Sequence, residues 1–141
     1  MLDVFSLHHV AIPVSDLARA KTFYGGLLGL EEIARPSFPF PGAWYQAGDR
    51  QLHLIVASEP TFRVGKRVNS QDGHFALRVR SFRGALQYFE SHGYRVGHED
   101  ALLAMRVSER GPTGFPQIHL MDPDRNMIEI NAEVLDLVAG R

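Results

Sequence analysis

The chain has no cysteine among its 141 residues. That absence excludes disulfides, thiolate nucleophiles and cysteine-ligated zinc sites, so any metal would have to be held by His, Asp or Glu. Long apolar runs are also missing: none approaches the ~20 residues of a membrane-spanning helix. The opening MLDVFSLHHVAIPV lacks a basic start followed by a long apolar core, so it does not read as a secretory signal. The expectation is a soluble cytoplasmic protein. Charge of one sign is absent as well. Lys and Arg total 15 against 16 Asp and Glu, and a net charge of −1 gives no footprint for nucleic acid or an anionic membrane. A hydrophobic fraction of 45% suits a globular protein, and the length suits a single domain spanning 1–141.

What is present is a repeat and seven histidines. HHVAIPVSDLARAKTFYGGLLGL (8–30) matches GHFALRVRSFRGALQYFESHGY (73–94) at an offset of 65 residues, pairing His9 with His74, Val14 with Val79, Ala20 with Ala85 and Tyr24 with Phe89. Each half opens as strand, helix, glycine stop. Ser15 or Asp16 can cap the first helix and Ser81 the second. Leu17, Ala20, Phe23, Tyr24 and Leu27 share one face of the first, as do Phe82, Ala85, Leu86 and Phe89 of the second. Gly25-Gly26 predicts fraying or an early end to the first helix, and Gly29 and Gly93 suit the C-terminal stops. Strand-like runs follow at 30–36, 43–48 and 51–57, then at 94–99, 117–122 and 127–133. AGDRQ (47–51) and DPDRN (122–126) read as hairpin turns. The pattern is strand-helix-strand-strand-strand twice, with module one at about 5–58 and module two at about 72–134. The stretches 57–73 and 98–116 read as long connections.

Period-two alternation assigns faces. Val10, Ile12 and Val14 oppose His9; Leu52, Leu54 and Val56 oppose His53; Phe75, Leu77 and Val79 oppose His74. Ile118 and Leu120 oppose His119, and Ile128 and Ile130 oppose Glu129. Five ionisable groups thus fall on the face away from the helices. A polar face turned to bulk water gives the same phase. The repeat favours convergence, because His9 and His74 hold equivalent positions and His53 and Glu129 each lie on the last strand of their copy. Imidazoles with one carboxylate and no thiolate suit a divalent Zn, Fe, Mn, Ni or Co ion.

HHVAIPVSDLARAKTFYGGLLGL, LHLIV, HFALRV and DPDRNMIEI resemble the glyoxalase, bleomycin resistance protein and extradiol dioxygenase superfamily, also called vicinal oxygen chelate proteins. The likeness covers nearly the whole chain apart from the two long connections. It implies an α+β fold, two βαβββ modules curling into an incomplete barrel around a metal. By position it implies His9, His74 and Glu129 as ligands, with His53 at a fourth place where many relatives carry Glu or Gln. Two readings of His53 stand: a fourth ligand, or a group that contacts substrate and moves protons. His119, where family dioxygenases tend to carry Tyr, is a candidate general acid or base, with a hydrogen-bonding partner role as the alternative.

A metal with two open positions takes a small substrate through two adjacent oxygens and stabilises charge that builds on them. The resemblance therefore implies a lyase or isomerase-like enzyme, with a ring-cleaving dioxygenase or fosfomycin-type thiol transferase as the alternatives. A metal-free drug-binding protein of the bleomycin-resistance kind is the rival from another class. Trp44, in the proline-flanked PSFPFPGAWY, and Arg106, in MRVSERG, are candidate substrate contacts. Arg63, Lys66 and Arg67 could meet an anionic substrate. The family likeness implies a homodimer, and nothing in the composition points to a nucleic-acid or membrane partner.

Overall fold

The computed structural model describes residues 1–57 and 63–137. Its contacts divide the chain into two compact units, Met1–Phe62 and Arg63–Arg141.

In the first unit, strand β1 (His9–Val14) leads to helix α1 (Leu17–Lys21), which runs on into a π-helical segment, Thr22–Leu27. Strands β2 (Glu31–Ile33), β3 (Gly42–Ala47) and β4 (Arg50–Val56) follow. Asp16 caps α1 by accepting from the Arg19 amide at 2.8 Å. The fraying or early end expected at Gly25-Gly26 does not occur: the helix continues through the pair as a widened turn. Leu28 N–H donates to the Phe23 carbonyl five residues back, and Gly29 ends the element at φ 67°. Ala20, Phe23 and Tyr24 are buried, and α1 packs on β3 and β4. The sheet order is β1-β4-β3-β2, with β1 parallel to β4 and the remaining pairs antiparallel. A two-residue turn joins β3 to β4. Gly48 at φ 61° supplies the left-handed first position that such a hairpin requires.

In the second unit, β5 (His74–Val79) leads to α2 (Phe82–Ser91), then β6 (Arg95–Val96), β7 (Ala104–Ser108), β8 (Gln117–Met121) and β9 (Met127–Ala132). Ser81 Oγ accepts from the Gly84 amide, while Asp136 accepts from the Phe82 and Arg83 amides. Three N–H groups that a helix leaves unpaired are thereby satisfied. At the other end Gly93, at φ 90°, closes a Schellman motif in which Tyr94 N–H donates to the Phe89 carbonyl. Phe82 and Phe89 form the buried stripe of α2, each worth roughly 1.5–3 kcal/mol of burial. The sheet order is β5-β9-β8-β7-β6. Stripped of β6, it repeats the order of the first unit.

The second unit departs from the expectation in one element. The segment 94–99 supplies only the two-residue β6. The strand equivalent to β2 is β7, inside the stretch read as a connection, where it pairs antiparallel with β8. Part of the other long stretch, 58–62, lies outside the described residues.

The DPDRN turn closes β8 onto β9 and fixes their register. Buried Asp122 accepts from the amides of Asp124 and Asn126 and from Asn126 Nδ2, at 2.8–2.9 Å. Arg125 takes the left-handed conformation at φ 65°, unusual for a side-chain-bearing residue. Its carbonyl accepts from Arg63 Nε and its guanidinium donates to the Lys66 carbonyl, each at 2.6 Å.

Candidate metal centre

That register puts His119 directly opposite Glu129, while β5 lies parallel to β9 with His74 opposite Met127, two residues from Glu129. His74 Nε2 is 3.1 Å from Glu129 Oε2, and His119 Nε2 is 3.7 Å from the same oxygen. One ligand atom from each of the three residues lies within 4.8 Å of the others. Two donors bound to one zinc at about 2.1 Å stand at most about 4.2 Å apart, so closure of the set asks for little movement.

The surroundings decide which atoms of His74 and Glu129 face each other. His74 Nδ1 donates to the Asp72 carbonyl at 2.6 Å, which turns Nε2 toward a carboxylate oxygen. Two electron-rich atoms at 3.1 Å need a cation between them, either a proton on the imidazole or a metal. Glu129 Oε1 accepts from Gln117 Nε2 at 2.7 Å and Asn131 Nδ2 at 3.0 Å, so Oε2 is the atom turned toward the histidines. Asn131 Oδ1 in turn accepts from Arg78 Nε. Hydrogen bonds of this kind behind a histidine and a carboxylate are what metal sites use to fix tautomer and orientation.

The polar face is not turned to bulk water here: His119 is 3% exposed and Glu129 5%. Burial pushes the His119 pKa down, with the charges of His74 and Arg106 adding to it and Glu129 partly opposing. Burial acts to raise the Glu129 pKa. The hydrogen bonds from Asn131, Gln117 and His74, with the His119 charge, outweigh it and leave the carboxyl below its ordinary value. A neutral imidazole and an ionised carboxylate are the forms that ligate.

The first unit carries the other two predicted ligands. The His9 and His53 rings stack at 4.1 Å, and Trp44, opposite His53 in the register, stacks on its other face at 3.9 Å. His53 is 6% exposed; its Nε2 donates to Gln51 Oε1 at 2.9 Å, leaving Nδ1 basic. Burial, then the neighbouring His9, His8 and Arg35 charges, lower its pKa. His9 Nδ1 lies 2.9 Å from His8 Nδ1.

Among the candidate substrate contacts, Arg106 on β7 is exposed and pairs in register with His119. Arg63 and Lys66 are engaged with the Asp72 carboxylate at 2.6 and 3.4 Å. They brace the residue whose carbonyl orients His74. A cleft of about 440 Å³ beside Arg83, Arg110 and Asp136 contains none of the predicted ligands. Sequence reasoning missed Asp72, Gln117 and Asn131. It also missed His119 as a potential ligand, although counting outward from the DPDRN turn places it against Glu129.

No helix among the described residues is long and apolar enough to cross a membrane. The chain resembles solved structures over nearly its whole length. A Bacillus anthracis protein ascribed to the glyoxalase family is 20% identical, with 94% of this chain and 98% of that one covered at a TM-score of 0.73. A lactoylglutathione lyase from Agrobacterium tumefaciens is 19% identical, covering 94% and 96% at 0.65. A genomically encoded fosfomycin resistance protein from Listeria monocytogenes is 16% identical, covering 94% and 96% at 0.67. At these identities the likeness establishes the fold. A comparison with curated proteins finds no match. The family model for the glyoxalase, bleomycin resistance protein and dioxygenase superfamily matches residues 6–130. With the two modules and their strand order on the same residues, the chain belongs to that superfamily.

Proposed function

We propose that this protein is a divalent-metal-dependent enzyme of the superfamily, lyase or isomerase-like, acting on a small substrate through two adjacent oxygens. The observation that carries the reading is His74 Nε2 set 3.1 Å from Glu129 Oε2, with His119 Nε2 3.7 Å from the same oxygen. The residues fit a first-row divalent ion: two imidazoles and one carboxylate, with an acceptor carbonyl behind His74 and an amide donor behind Glu129. When bound, such an ion supplies Lewis-acid stabilisation of charge developing on substrate oxygens.

We assign His74, His119 and Glu129 to the ion; the ligand role of His9 is the one that the family likeness implies. His53 is the proton-transfer group: buried, neutral at physiological pH and with Nδ1 basic, it can take a proton and return it. Trp44 fixes the His53 ring by stacking, and Arg106 attracts the anionic part of the substrate. The homodimer implied by the family likeness belongs to the same proposal.

The test is an activity screen of metal-loaded protein with methylglyoxal plus glutathione, with catechols plus oxygen, and with fosfomycin plus thiols. Activity on the first that needs metal and disappears in His74→Ala is the expected result. Turnover only of catechols or fosfomycin would reassign the reaction. Loss of turnover in His119→Ala with metal retained would return His119 to proton transfer. Full activity in protein shown to be metal-free would refute the proposal.

A further inference from the structure

A feature of the first unit is unused by the metal proposal. The segment before β3 carries Phe38 and Phe40, respectively 41% and 38% exposed although both are large and apolar. Their rings stack at 5.2 Å, and Phe38 lies 6.1 Å from Trp44. Trp44 in turn lies parallel to His53, with 4° between planes. Four rings therefore run in succession from an exposed end to a buried imidazole.

The ledge is built in advance. Pro36, Pro39 and Pro41 fix their own φ, and Phe38 and Phe40, each preceding a proline, are confined to extended conformations. A ligand that stacks here does not have to order the loop first. Its charge is one-sided: between Glu32 and Asp49 the sequence has one cation, Arg35, and no acid. The Arg35 guanidinium stands 4.7 Å from the Phe38 ring centre and 5.2 Å from that of Phe40. One of its nitrogens donates to the Phe40 carbonyl, which holds it at the ledge. Gly42 makes the seat, since a Cβ there would come within 3.0 Å of the guanidinium. Glu32, the nearest acid before the segment, is paired with Lys21.

We propose that this ledge binds the planar aromatic ring of a carboxylate-bearing ligand, the ring stacking on Phe38 and Phe40 and the carboxylate drawn by Arg35. The ledge is a binding site of the first unit beyond the proposed function, and binding there requires no metal.

Trp44 is the chain's single tryptophan, so its indole N–H gives one resonance in a 15N-correlated spectrum. The full chain, freed of metal by chelator, is titrated with benzoate, with cyclohexanecarboxylate and with benzyl alcohol. Benzoate should shift the indole signal saturably. Cyclohexanecarboxylate should bind about tenfold more weakly, the scale of a lost aromatic contact, and benzyl alcohol at least threefold more weakly. Phe38→Ala/Phe40→Ala should bring benzoate down to the cyclohexanecarboxylate level, and Arg35→Gln should erase its advantage over benzyl alcohol. His74→Ala should bind benzoate as the parent does. Equal binding of benzoate and cyclohexanecarboxylate, or no saturable shift in protein with a dispersed spectrum, overturns the ledge and leaves the metal reading standing. Normal benzoate binding by a chain that takes up no metal overturns the metal reading alone.

Discussion

Replacing Gln117 with Leu removes one of the two amide donors that hold Glu129 Oε1, while keeping a side chain of similar size. The bond lost is 2.7 Å long and ends on a carboxylate, and the Asn131 bond at 3.0 Å remains. A hydrogen bond to a charged group contributes about 1.5–3 kcal/mol. Removing a partner behind a metal ligand costs about 10–100-fold in affinity, about 1.4–2.8 kcal/mol. The two scales agree, so Gln117→Leu should weaken divalent metal binding between tenfold and a hundredfold. The assay is competition with a chromophoric chelator at neutral pH, with circular dichroism and a thermal melt as folding controls. Gln117 also meets Thr113 Oγ1 at 3.5 Å, a contact too long to matter to the ligands, so Thr113→Val should bind metal as the parent does. Affinity within twofold of the parent, in a Gln117→Leu protein that melts normally, would refute the claim that Gln117 aims Glu129 at an ion.

Stability without metal should fall as the pH drops below about 6.5. His53 and His119 have lowered pKa values, so below their ordinary value the unfolded chain binds more protons than the folded one. Their contribution is complete above 6.5 and is lost as the pH falls through the folded values; denaturant melts at a series of pH values should show the slope, shallower in His119→Gln, and an unchanged slope would count against burial as the cause. Gly42→Ala would drive a Cβ into the Leu54 carbonyl, so the β3–β4 pair must shift at a cost of about 1–3 kcal/mol or more, read as a lower denaturant midpoint. Asp122→Ala leaves the buried Asn126 amide and Nδ2 without that acceptor, and should destabilise by at least about 2 kcal/mol and loosen the β8–β9 register, visible as faster amide exchange at His119 and Glu129.

The repeat made most of the fold legible. Matching halves, a cap at each helix start and glycine at each stop located the elements, and strict alternation set His9, His53, His74, His119 and Glu129 on one phase. Alternation gives the face of a strand but not its depth. That His119 and Glu129 are buried, while His9 and His74 are exposed, depends on how central each strand is in its sheet. Strand β7 escaped notice because Gly111, Pro112, Gly114 and Pro116 crowd the residues after it, and because Arg106 interrupts a five-residue run. The π-helical segment was half legible: the glycine pair signalled a break, but a widened turn keeps the spiral going where fraying would end it. Gln117 and Asn131 looked like ordinary polar strand residues. Only the pairing of β8 with β9 brings Gln117 to the Glu129 carboxylate, which Asn131 meets two residues along its own strand.

Equilibrium dialysis of the chelator-treated chain against zinc, nickel, cobalt, manganese and ferrous iron measures directly whether His74, His119 and Glu129 hold a divalent cation. One ion per chain for at least one metal, with affinity falling a hundredfold or more in His74→Ala and in Glu129→Gln, is the predicted result. Uptake of none of the five, or undiminished stoichiometric uptake in both variants, would contradict it.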